Sequence, residues 1–110
     1  SHLIGEIKGK DVLIIDDMID TAGTTVNAAN FVKKGGAQSI TAVATHGLLS
    51  EPAVERLKDA PIQKIIVTDT IHIPKEKRLE NMDIITVSNV FGNAINRIHN
   101  GESVSALFEF

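Results

Sequence analysis

The 110-residue sequence has no cysteine, which removes disulfides, thiolate metal sites and cysteine nucleophiles together and fits a reducing compartment. It lacks an excess of positive charge: 11 Lys and Arg stand against 14 Asp and Glu, a net charge of −3. A nucleic-acid binder whose affinity rests on neutralising phosphates is therefore not expected, and any bound anion must be held locally. No apolar run approaches the ~20 residues that span a bilayer, and no segment has signal-peptide character. The expectation is a cytoplasmic protein with no membrane partner. Internal repeats, low-complexity tracts and linkers are absent too. What remains is a composition of 43% hydrophobic and 23% charged residues, ordinary for a folded domain. At this length one core and one domain over residues 1–110 are expected, burying roughly two thirds of the unfolded surface. The opening Ser1, His2, without an initiator Met, points to a piece of a longer polypeptide.

Val12 to Ile15 is an apolar run of β-compatible residues that ends in Asp16 and Asp17, the pattern of a central parallel strand buried on both faces. A small turn, Thr21 to Thr24, leads to a helix over 25–34 with Lys33 and Lys34 at its negative end and Gly35, Gly36 as its stop. Ile40 to Thr45 reads as a second strand, Ser50 as the cap of a helix over 51–59, and Lys64 to Thr68 as a third strand. Residues 69–82 read as a loop, Ile84 to Val87 as a strand, the stretch from Ser88 to a stop at Gly101 as a helix, and Val104 to Phe108 as a last strand. This alternation implies an α/β fold, a mainly parallel twisted sheet with helices on both faces, with ligands beyond the carboxyl ends of the strands.

The most polar strand end is the segment IIDDMIDTAGTT. Thr21, Ala22, Gly23, Thr24 and Thr25 combine backbone N–H groups, three hydroxyls and a helix start, which suits an anion such as phosphate. Gly23 is the position expected to allow close approach or a positive φ. Asp16, Asp17 and Asp20 add carboxylates, which accept from ribose hydroxyls or ligate Mg²⁺. Because strand residues alternate, Asp16 and Asp17 share one ligand only if the strand ends there. Capping alone would explain one Asp and one Thr; three acids, three threonines and a glycine within ten residues favour a binding site.

Other candidates are weaker. GEIKGK, Gly5 to Lys10, is one residue short of a P-loop, has Asp11 where Ser or Thr is required, and precedes a strand; a tight turn accounts for it better. His46 reads as a hydrogen-bonded loop histidine ahead of a pocket residue, and no His pair has zinc spacing. Thr68, Asp69 and Thr70 suit a local turn as well as a ligand contact. Lys75 to Arg78 reads as a solvated loop.

VLIIDDMIDTAGTT resembles the phosphoribosyl-binding loop shared by type I phosphoribosyltransferases and ribose-phosphate pyrophosphokinases. ATHGLLSEPAVERL, VTDTI and HNGESVSALF narrow the resemblance to the carboxyl-terminal region of the pyrophosphokinases, across nearly the whole chain. The resemblance implies a phosphoribosyltransferase type I-like fold lacking its first strands, in the ribose-5-phosphate-binding part of a two-domain enzyme. That enzyme would move the diphosphoryl group of ATP to ribose 5-phosphate, giving 5-phosphoribosyl 1-diphosphate and AMP. Asp20, Thr21, Ala22, Gly23 and Thr24 would cradle the 5-phosphate, while Asp16 and Asp17 would face the ribose hydroxyls and Mg²⁺. Ser103 and Ser105 match a tail that helps form an allosteric anion site between subunits, so a homo-oligomer is implied. The family's metal-binding histidine segment, most of its ATP site and its basic catalytic loop have no counterpart here, so the piece alone is expected to be inactive. A type I phosphoribosyltransferase, whose base-specific hood is not evident, and a non-catalytic regulatory subunit of the synthetase are the alternatives.

Overall fold

The computed structural model describes residues 6–103. Residues 7–10 form a turn in which the Gly9 amide donates to the Gly36 carbonyl at 2.8 Å, with Gly9 at φ 74°. This is the tight turn expected of GEIKGK, and it launches β1 (Asp11–Ile19). There follow α1 (Gly23–Lys34), β2 (Ser39–Gly47), α2 (Ala53–Asp59), β3 (Lys64–Thr68), a 3-10 turn (Lys75–Lys77), β4 (Met82–Ile85) and α3 (Ser88–His99). The four strands are parallel and lie in sequence order, β1-β2-β3-β4. The fold is α/β with a parallel sheet, as expected.

Helix α1 buries Thr25, Ala29 and Val32, positions spaced so that they share one face. Lys33 and Lys34 lie in its last turn and Gly35 occupies its C-cap. Gly36 follows at φ 92°, where an added Cβ would meet Lys8 at 3.1 Å. Helix α2 buries Ala53 and Leu57, one turn apart. Both helices pack with Ile40, Ala42 and Ala44 of β2 and Ile65 and Val67 of β3 in one core. Consecutive right-handed crossovers that advance in one direction across a sheet must fall on the same face. That rule accounts for the way the structure differs from the sequence reading: among the described residues α1 and α2 cover a single face.

On the other face Leu13 is 62% and Ile15 73% exposed, whereas Val12 and Ile14 pack against the core. The expectation of a central strand buried on both sides is thus corrected: β1 is an edge strand of the described sheet with one covered face. The second face also carries the Lys64–Asp83 ion pair at 2.8 Å, and α3 buries none of its residues.

Local boundaries moved for identifiable reasons. Ser50 does not cap α2 through its side chain; the helix begins at Ala53, with the donorless Pro52 at the N-cap, and the Ser50 carbonyl accepts the Ala53 amide. Strand β4 starts two residues earlier than expected because its register pairs Met82 with Ile65 and Ile85 with Thr68. Helix α3 begins at Ser88 as read, and Gly101 follows it at φ 71°. The expected last strand, Val104 to Phe108, lies outside the described residues, as does Ser105.

Candidate functional site

The carboxyl end of β1 and the first turn of α1 enclose an open pocket of about 240 Å³, lined by residues 16–18 and 20–25. All eight residues singled out from the sequence, Asp16, Asp17, Asp20, Thr21, Ala22, Gly23, Thr24 and Thr25, border it, together with Met18. One part of the local reading changes. Strand β1 does not stop at Asp16 but runs to Ile19, pairing Asp16 with Ala44, Met18 with His46 and Ile19 with Gly47. Alternation then places Asp16 and Asp17 on opposite faces. Both still reach the pocket because it is open and both residues are exposed at the strand end. Asp16 Oδ1 accepts the Asp17 amide at 2.8 Å, which orients the first carboxylate.

The loop is anchored from below: the Leu48 and Leu49 amides both donate to the Ile19 carbonyl, at 3.0 and 3.1 Å. It then turns through Ala22, whose φ of 69° and ψ of 7° are left-handed. The sequence offered Gly23 for a close approach or a positive φ; the positive φ falls one residue earlier, on Ala22. A non-glycine residue there costs roughly 1–2 kcal/mol, and burial of Ala22 at 4% exposure in the core offsets part of it. Gly23 answers a different need: a Cβ on it would lie 3.3 Å from Arg56 Nη1.

Helix α1 has no side-chain cap and no acid in its first turn, and its first amide bonded back along the chain is that of Val26, to Ala22 O at 2.9 Å. The amides of Gly23, Thr24 and Thr25 are therefore left for another acceptor, at the positive end of the helix dipole. Among the described residues the Thr21 and Thr24 hydroxyls and the Asp17 and Asp20 carboxylates make no side-chain hydrogen bond. Thr25 is 5% exposed, so its side chain fastens the helix start to the core while it borders the pocket. Unsatisfied donors beside exposed carboxylates can hold an anion at one end and hydroxyls at the other.

The weaker candidates are spent internally. His46 Nδ1 lies 2.8 Å from Thr70 Oγ1, and the Thr68 and Thr70 hydroxyls both donate to the Thr45 carbonyl. Asp69 accepts the Val87 amide. In the basic loop Arg78 Nε donates to the Ile73 carbonyl, and none of Lys75, Lys77 or Arg78 lines the pocket. Ser103 follows α3, and its carbonyl accepts from Arg97. The sequence reading missed Arg56, which approaches the loop from α2 with Nη1 3.2 Å from the Thr21 carbonyl. It stands 35 residues away in the chain, and no local pattern marks it.

Comparison with known proteins adds the decisive observation: residues 1–109 match the family described as the phosphoribosyl synthetase-associated domain. The chain belongs to that family. It is 50% identical over 107 residues to a ribose-phosphate pyrophosphokinase of Caldanaerobacter subterraneus subsp. tengcongensis, covering 97% of this chain and 34% of that protein. A Chlorobaculum tepidum protein of the same name is 50% identical over 108 residues, covering 98% and 33%. The crystal structure of phosphoribosylpyrophosphate synthetase from Mycobacterium smegmatis superposes with a TM-score of 0.86 at 36% identity, over 89% of this chain and 33% of that one. The chain thus spans about a third of the length of the relatives it matches. The resemblance read from the loop and the segments after it agrees with these matches.

Proposed function

We propose that the chain is the carboxyl-terminal, ribose-5-phosphate-binding part of a ribose-phosphate pyrophosphokinase, a two-domain enzyme that transfers the diphosphoryl group of ATP to ribose 5-phosphate. The observation that carries this reading is the pocket on residues 16–25, lined both by the residues with unsatisfied helix-start amides and by the carboxylate-bearing residues at the end of β1. The 5-phosphate accepts from the Gly23, Thr24 and Thr25 amides and the Thr21 and Thr24 hydroxyls, so neutral dipoles hold it in a chain of net charge −3. Asp16 and Asp17 accept from the ribose hydroxyls. Anchoring the phosphate fixes the acceptor sugar, and this remote binding energy can be used to orient the anomeric hydroxyl for in-line transfer.

The donor set fits Mg²⁺ shared with substrate. Among the described residues no cluster of three His, Cys, Asp or Glu forms a self-sufficient metal site. Mg²⁺ binds through one or two carboxylates plus substrate oxygens and waters, a share that the exposed Asp16 and Asp17 can supply. Bound there, the ion would offset phosphate charge.

The remaining parts of this reading follow the family. The ATP site and the cations of the transfer belong to the rest of the polypeptide, the enzyme assembles as a cytoplasmic homo-oligomer, and the 110 residues alone are inactive. Ser103 and Ser105 belong to an anion site between subunits. No helix among the described residues is long and apolar enough to cross a membrane. Titrating the labelled chain with ribose 5-phosphate tests the central claim. Amide shifts should centre on Asp16 to Thr25; shifts confined to residues 75–78 would move the site to the basic loop.

A further inference from the structure

We infer that Arg56 is a positioning residue of the anion loop, holding the Thr21–Ala22 peptide so that the Ala22 amide faces the pocket. This rests on the reading of residues 20–25 as an anion site and assigns a part of it that lies outside the loop. Three observations converge. Arg56 Nη1 donates to the Thr21 carbonyl at 3.2 Å from α2, while Arg56 itself does not line the pocket. In a trans peptide the carbonyl of one residue and the N–H of the next point in opposite directions. A guanidinium fastened to the Thr21 carbonyl therefore directs the Ala22 N–H to the far side, and Ala22 borders the pocket.

Second, no other hydrogen bond reaches the Thr21 carbonyl among the described residues. Ala22 occupies a left-handed conformation that its side chain disfavours, and α1 has no side-chain cap. The nearest restraints are the Ile19 carbonyl on one side and the Val26 amide on the other. Third, Gly23 gives the guanidinium clearance, since a Cβ on it would sit 3.3 Å from Nη1, a tight contact that would push the guanidinium by a few tenths of an ångström. Its lack of a Cβ eases this contact, while the positive φ of the loop falls on Ala22. The planar fork of Arg56 suits this task, because it presents its donors in a fixed geometry. Its charge also lies behind the loop, where it favours an anion without competing for the pocket.

The test uses the 110-residue chain, with Arg56→Met, which keeps an apolar stem and removes the donors, beside Arg56→Ala. In the ligand-free protein either change should shift the Ala22 amide resonance and speed its hydrogen exchange, with little change in melting temperature because Arg56 is exposed. An unmoved Ala22 amide in both variants overturns the proposal, whatever the loop binds. Affinity for ribose 5-phosphate and for inorganic phosphate should fall about tenfold, the lower end for a hydrogen bond involving a charged group. Gly23→Ala should weaken binding in the parent chain and add little in the Arg56→Met background; losses that add fully overturn the shared role. Should the Ala22 amide respond while the parent chain binds neither probe at residues 16–25, the proposed function fails and the positioning role stands.

Discussion

Asp69 Oδ1 accepts the backbone N–H of Val87 at 2.8 Å and thereby ties the carboxyl end of β3 to the start of α3. The Asp69 amide in turn donates to the Ile85 carbonyl at 3.0 Å, so one residue grips the β4–α3 junction twice. The Val87 amide, and after it the Thr86 hydroxyl, hold the Asp69 carboxyl below the ordinary carboxylate value. A depressed folded-state pKa contributes stability that is present above the unfolded value of about 4 and disappears as pH falls through the folded one. Acidification below about pH 4 should therefore loosen the start of α3, seen as faster hydrogen exchange at Val87. In Asp69→Asn the exchange at Val87 should no longer follow this acid step; an unchanged pH profile would remove Asp69 from the junction.

Thr24→Val should weaken ribose 5-phosphate binding by roughly 1.5–3 kcal/mol, the range for a hydrogen bond to a charged group. Fold stability should change much less, because Thr24 is exposed and its hydroxyl has no internal partner. Calorimetry with ribose and with ribose 5-phosphate separates the cases. Equal losses for the two ligands would make Thr24 structural.

Leu57→Ala should cost about 2–5 kcal/mol in urea unfolding. Leu57 is 1% exposed and carries α2 onto the core beside Ala53. A loss within about 0.5 kcal/mol, the usual range for surface changes, would mean that α2 is not docked as described.

AMP should not accumulate when the chain is mixed with ATP, Mg²⁺ and ribose 5-phosphate. The pocket offers amides, hydroxyls and carboxylates, but none of the lysines and arginines lines it. Charge developing on a transferring diphosphoryl group would go unstabilised, a deficit that commonly amounts to orders of magnitude in rate. AMP in proportion to chain concentration, abolished by Asp17→Asn, would show a complete active site within these residues.

The sequence by itself determined the chemistry of the candidate site, because its donors and acids are neighbours in the chain: residues 16–25 had to lie together whatever the fold did. It also determined the α/β alternation, since β3 spans the residues read for it and the Gly35–Gly36 stop and the Ser88 start depend only on local backbone preferences. Tertiary structure decided what depends on partners distant in sequence. The apolar run Val12 to Ile15 reads the same in a central or an edge strand; only the order β1-β2-β3-β4 leaves Leu13 and Ile15 exposed. The sequence did not show that the left-handed residue of the loop is Ala22, nor that α2 brings Arg56 across 35 residues to the Thr21 carbonyl. Local composition specifies which groups are available to a ligand, whereas packing between elements specifies their direction, because a peptide plane or a strand face is fixed only by what lies against it.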